Sequence, residues 1–101
     1  MTAFDTGVQR LISQVAHWAE NRWRAPAANG PGTRGDAVYA LVQQLADLGA
    51  DAEERPRRPV PRLHDMVLPD QLRVVADELS AVGVPGEATA AVEETRRLLA
   101  G

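Results

Sequence analysis

Cysteine is absent from the 101-residue chain, which excludes a disulfide framework and any thiolate site. Lysine is absent too, so all eleven basic residues are arginine. With abundant Ala, Gly, Pro and Val, this has the look of codon bias in a GC-rich genome, and arginine over lysine carries little functional weight. Aromatic residues make up only 4% and alanine supplies much of the 45% apolar content. Small side chains let helices approach closely but bury little area each, so the core should be thin and self-association favoured. No apolar run approaches the ~20 residues of a membrane span, and no basic region followed by an apolar stretch opens the chain. The expected location is the cytoplasm, with no membrane partner. Positive charge is also lacking: residues 1–50 balance, and the net charge of −3 arises in residues 51–101. Binding to a phosphate backbone needs a positive field, so no nucleic-acid partner is expected.

No stretch alternates like a strand; the periodicity present is helical. Thr6-Gly7-Val8-Gln9 fits a capping box, and Val8, Leu11, Ile12, Val15, Ala16 and Ala19 follow as an apolar stripe, predicting a helix over about 6–23. Pro26 and Asn29-Gly30-Pro31-Gly32 stop it. Thr33 and Asp36 open a second helix over 33–48, with Val38, Leu41, Val42, Leu45 and Leu48 on one face and Gly49 as the expected left-handed cap. A third is predicted over 69–82, with Leu72, Val75, Ala76, Leu79 and Val82 inward and Val74 off that face. A fourth covers 85–99, with Pro69 and Pro85 at first helical positions. Short loops then imply two antiparallel hairpins.

Between the pairs lies the segment 50–67, with Pro56, Pro59 and Pro61 set among Arg55, Arg57, Arg58 and Arg62. Proline fixes φ, lacks an amide hydrogen and pushes its predecessor out of the α region. Polyproline II at roughly 3.1 Å per residue is the natural state, long enough to run the length of a helix and return the chain to the end it left. Asp65 would cap a short turn through Val67. The fold class expected is all-α, a single domain forming a four-helix bundle of two hairpins joined by this Pro/Arg-rich crossover.

Chemistry is poorly provided for. The glycine-rich loop 29–36 precedes a helix start, where amides can hold an anion, but it lacks the preceding strand and the lysine of a P-loop; Arg34-Gly35-Asp36 is read as a chance tripeptide. His17 and Glu20 share a helical face, yet zinc needs at least three protein ligands and none is spaced to help, so no metal or other cofactor is expected. Ser13 and Ser80 lie within helices without a partnering histidine, and a nucleophile needs an adjacent base and an orienting group. The chain is expected not to be an enzyme. Tryptophan and arginine are enriched at binding hot spots, which singles out Arg22, Trp23 and Arg24; Trp18 reads as core. In the segment 50–67, Pro56-Arg57-Arg58-Pro59 is the kind of sequence aromatic grooves bind, adding Arg57, Arg58 and Arg62.

The reading that follows is a non-enzymatic protein-interaction module, a homodimer or a subunit of a larger complex. Two alternatives are a small-molecule-binding bundle with a pocket at Trp18, Leu11, Leu41 and Val75, and, less favoured, a DNA-binding regulator.

Overall fold

The computed structural model describes residues 2–100. Among them the chain is all-α: α1 (Ala3–Val15), α2 (Glu20–Trp23), α3 (Arg34–Ala52), α4 (Leu68–Val82) and α5 (Gly86–Leu99), with a single 3-10 turn at Asp65–Val67. Among the described residues no helix is long and apolar enough to cross a membrane.

The first helix departs most from its expected span. It starts at Ala3 because Thr2 and Asp5 form the reciprocal box: the Asp5 amide donates to Thr2 Oγ1 at 3.1 Å and the Thr2 amide to Asp5 Oδ2 at 3.3 Å. That start puts Phe4 on the buried stripe with Val8, Leu11 and Val15. The helix then ends at Val15 although neither Gly nor Pro follows at once. The cause is tertiary. In one continuous helix Trp18 and Trp23 would lie about 140° apart, and a single core could not cover both. The break over 16–19 lets both indoles turn inward and meet edge to face, with centroids 5.1 Å apart and planes at 71°.

α3 opens at Thr33 under the expected box with Asp36 but outruns its predicted end. Gly49 is helical and buried, Ala50 carries the stripe onward, and the left-handed residue is Glu54 with φ 53°. The strap, residues 55–64, is extended, and the turn after it is capped by His64, whose Nδ1 accepts the Met66 amide at 3.1 Å, rather than by Asp65. Pro85 precedes α5 as its N-cap, not its first residue, and Gly83 ends α4 with φ 112°.

Helix directions follow from cross-links. Arg73 Nη2 donates to Gln9 Oε1 at 2.7 Å and Ser80 Oγ to Asp5 Oδ1 at 3.2 Å, so α1 and α4 are antiparallel. The Gly7–Val92 approach and the Arg96–Gln14 hydrogen bond set α1 parallel to α5. α3 packs on α4 and α5, and α1 packs on α5 and α4. The chain neighbours α1/α3 and α4/α5, expected as hairpins, are not among these close pairs. The strap is the reason, because it lets α4 begin beside the start of α3 and run parallel to it. Leu11, Leu41, Leu45, Leu68, Leu72 and Leu79 occupy the centre of the resulting core.

One glycine registers how closely strap and helix meet. A Cβ on Gly35, in the first turn of α3, would lie 2.6–2.7 Å from all three carboxyl atoms of Asp65. Gly35→Ala is therefore expected to lower stability by about 1–2 kcal/mol in urea unfolding, as overpacking does. In an Asp65→Ala background the same change should be neutral or stabilising, since alanine is the better helix former.

Candidate functional site

The six residues singled out in the sequence divide between two regions, and most are engaged within the molecule. Trp23 is 1% exposed, so it is not available at the surface, and among the described residues its buried Nε1 has no hydrogen-bond partner. Arg22 lies over Trp18, Cζ to ring centroid 5.1 Å, and Arg34 lies over the same ring at 5.4 Å. Arg24 is paired with Glu20 at 3.3 Å. Hence Trp23 belongs to the core, while Arg22 and Arg24 stay exposed, Arg22 against the Trp18 ring and Arg24 beside Glu20.

The strap arginines are engaged as well. Arg57 grips Asp51 through Nε at 3.0 Å and Nη2 at 2.6 Å. Arg62 reaches Asp36 at 3.0 Å and Asp65 at 3.2 Å, and stacks on Tyr39 with Cζ 4.6 Å from its centroid. Of the six, Arg58 alone has no side-chain partner among the described residues.

The strap backbone is held with equal care. Tyr39 donates its hydroxyl hydrogen to the Val60 carbonyl. Gln43 Oε1 accepts the Val60 amide at 2.7 Å, while its Nε2 donates to the Arg58 carbonyl at 3.0 Å. From the other side Gln71 donates to the Pro61 carbonyl at 3.1 Å. Prolines 59 and 61 have no amide hydrogen to leave unpaired. The partners descend α3 as the strap advances: Asp51 meets Arg57, Gln43 and Tyr39 meet Val60, Asp36 meets Arg62, and Gly35 meets Asp65. The strap thus runs antiparallel to α3.

Electrostatics follow the same contacts. Asp36 is held below the ordinary carboxylate value of 3.8, foremost by the Thr33 amide; burial opposes this as the second-largest effect, and the Thr33 hydroxyl and Arg62 add smaller lowering contributions. Hydrogen bonding from Arg57 lowers Asp51, and the same bond raises Arg57. Thr2 lowers Asp5.

Other candidates disperse. The loop before α3 is pinned by Ala27 N–H to Gly32 O at 3.1 Å and Ala28 N–H to Leu98 O at 2.9 Å, and the positive end of α3 already faces Asp36 and Asp65. Glu20 meets Arg24 and, at 3.8 Å, His64 rather than His17. Among the described residues no three metal-ligating side chains of the His, Cys, Asp or Glu types converge. Trp18, Leu11 and Leu41 are buried core, and line none of the surface grooves named here.

What periodicity missed is a set of exposed apolar side chains and a groove beside one of them. Leu63, Met66, Val74 and Val82 are 55, 49, 55 and 40% exposed. Beside Val74, an open groove of about 260 Å³ lies between strap and α4, lined by Val60, Asp70, Gln71, Val74 and Val75. Val74 standing off the inward stripe was the one sequence signal of it. No protein-family model, curated protein or solved structure matches the chain.

Two measurements check the strap anchorage. Tyr39→Phe and Gln43→Ala should each cost about 1 kcal/mol and speed hydrogen exchange at the Val60 amide, with α1 unaffected. Because Asp5, Asp36 and Asp51 have lowered folded values, their contribution is complete well above pH 3.8 and drains away as pH falls below it. Unfolding free energy should therefore be flat from neutrality to mild acid and decline below about pH 4, less steeply in Asp36→Asn.

Proposed function

We propose that this chain is a non-enzymatic protein-interaction module, working as a subunit of a larger assembly. In this reading its four longer helices form a four-helix bundle and the Pro/Arg-rich strap is the crossover that holds it. The observation that carries the reading is the placement of exposed apolar side chains. Every large hydrophobic residue that is exposed among those described lies between positions 63 and 82, on the strap, the turn after it and α4. A chain poor in large side chains gains most by burying them, at about 25 cal/mol per Å². Leu63, Met66, Val74 and Val82 are left exposed, and Val74 borders the apolar groove with Val60 and Val75, as a contact surface requires.

The strap arginines have an intramolecular part as well. Arg57 and Arg62 hold the strap in place, and so present Leu63 and Val60 at a fixed distance from α4. A small-molecule pocket at Trp18, Leu11, Leu41 and Val75 has no supporting observation.

Affinity purification from the native host with wild-type chain and with Leu63→Ser/Met66→Ser/Val74→Ser tests the proposal. All three sites are exposed, so circular dichroism and unfolding should match wild type within about 0.5 kcal/mol. Proteins recovered with wild type and lost with the triple variant are the expected result. An unchanged set of proteins removes this face from the function.

A further inference from the structure

The exposed apolar face carries a charge pattern that selects among occupants. Asp70, Val74, Asp77 and Ala81 follow one another at spacings of three and four residues along α4, so they share its outer face, and Glu78 lies on the side toward Val75 and Val82. None of Asp70, Asp77 and Glu78 has an ion pair or a side-chain hydrogen bond among the described residues, whereas Asp5, Asp36, Asp47, Asp51 and Asp65 all do. The only base within α4, Arg73, is turned away to Gln9.

We infer that this face takes a basic amphipathic helix from another protein, its apolar side seated along Val60, Val74 and Val75 and its Lys or Arg flanks paired with Asp70, Asp77 and Glu78. The inference rests on the protein-contact reading and names the chemistry of the partner. An extended peptide adding itself to the strap is disfavoured by hydrogen bonding. The Val60 amide and carbonyl are taken by Gln43 and Tyr39, the Arg58 and Pro61 carbonyls by Gln43 and Gln71, and Pro59 and Pro61 have no amide hydrogen. Strand addition needs just those groups free; a helix in a groove does not. A second copy is disfavoured by charge. An isologous contact places the same patch on itself, bringing together two sets of three carboxylates that have no ion pair among the described residues. Anionic lipid and nucleic acid meet the same repulsion.

The probe is a stapled helical peptide of about fifteen residues, the length of α4, with leucines at i, i+4, i+7 and i+11 and lysines beside them. Its control keeps the leucines and replaces every lysine with glutamate. Anisotropy of the labelled peptides gives affinity, and amide shifts of the isotope-labelled full chain give location. The lysine peptide should bind and shift residues 60–82. Asp70→Asn/Asp77→Asn/Glu78→Gln should weaken it about tenfold, as three rim charges allow, and Asp77→Lys/Glu78→Lys should turn the preference toward the glutamate peptide. Circular dichroism confirms that both variants stay folded. Equal binding of the two peptides, shifts centred elsewhere, or no shifts with either overturns the basic-helix inference. So does a dimer in sedimentation velocity that dissociates on Val74→Asp, since the occupant is then a second copy. In each case the host purification still decides separately whether the face makes protein contacts at all.

Discussion

The structure depends on a match of two rises. From Arg57 to Asp65 the strap advances eight residues, roughly 25 Å at the ~3.1 Å per residue of polyproline II. Over the same path its partners on α3 go from Asp51 back to Gly35, sixteen residues and roughly 24 Å at ~1.5 Å each. End to end, one residue of this stretch therefore passes about two helix residues, with unevenly spaced anchors at Gln43, Tyr39 and Asp36 between. An unstructured return would have to pay for ordering at about 1–2 kcal/mol per residue; prolines reduce that cost in advance by restricting the unfolded chain.

This one connection sets the arrangement of everything after it. Because α4 starts next to the beginning of α3, the two helices run parallel, and α5 returns toward the end of α1, where the Leu98 carbonyl accepts the Ala28 amide. Short loops alone would have stacked each helix on its chain neighbour. The tryptophan end closes the same region: Trp18 beneath Arg22 and Arg34, Trp23 edge-on to Trp18. In a chain so short of aromatics, these two rings supply bulk that alanine cannot.

Local signals were the most legible part of the sequence. The Thr33–Asp36 box, the stripe on α3, the stop at Gly83 and the extended character of the strap all depend on residues close together in the chain. The failures share a cause. Thr6-Gly7-Val8-Gln9 and the Thr2–Asp5 pair are both locally sound boxes, and it is the second that brings Phe4 onto the buried stripe. The α1 break carries no breaker residue; it exists because two indoles need one core. The carboxylate partners of Arg57 and Arg62 are equally invisible to a local reading, with Asp36 lying 26 positions from Arg62. The apolar groove was hidden for a related reason: Val60 belongs to no periodic stripe, and it meets Val74 and Val75 only after the strap has folded back.

The two-to-one gearing also ties together the lengths of two unlike segments. Adding one residue between Arg57 and Asp65 would lengthen the strap by about 3 Å, roughly the rise of two residues of α3, and displace the anchors that follow it. Two residues added to α3 would recover that rise but turn the helix by about 200° and take its anchors off the strap side. Among descendants of this chain the stretch from Arg57 to Asp65 should therefore keep its length, and a strap altered alone should have lost its seat.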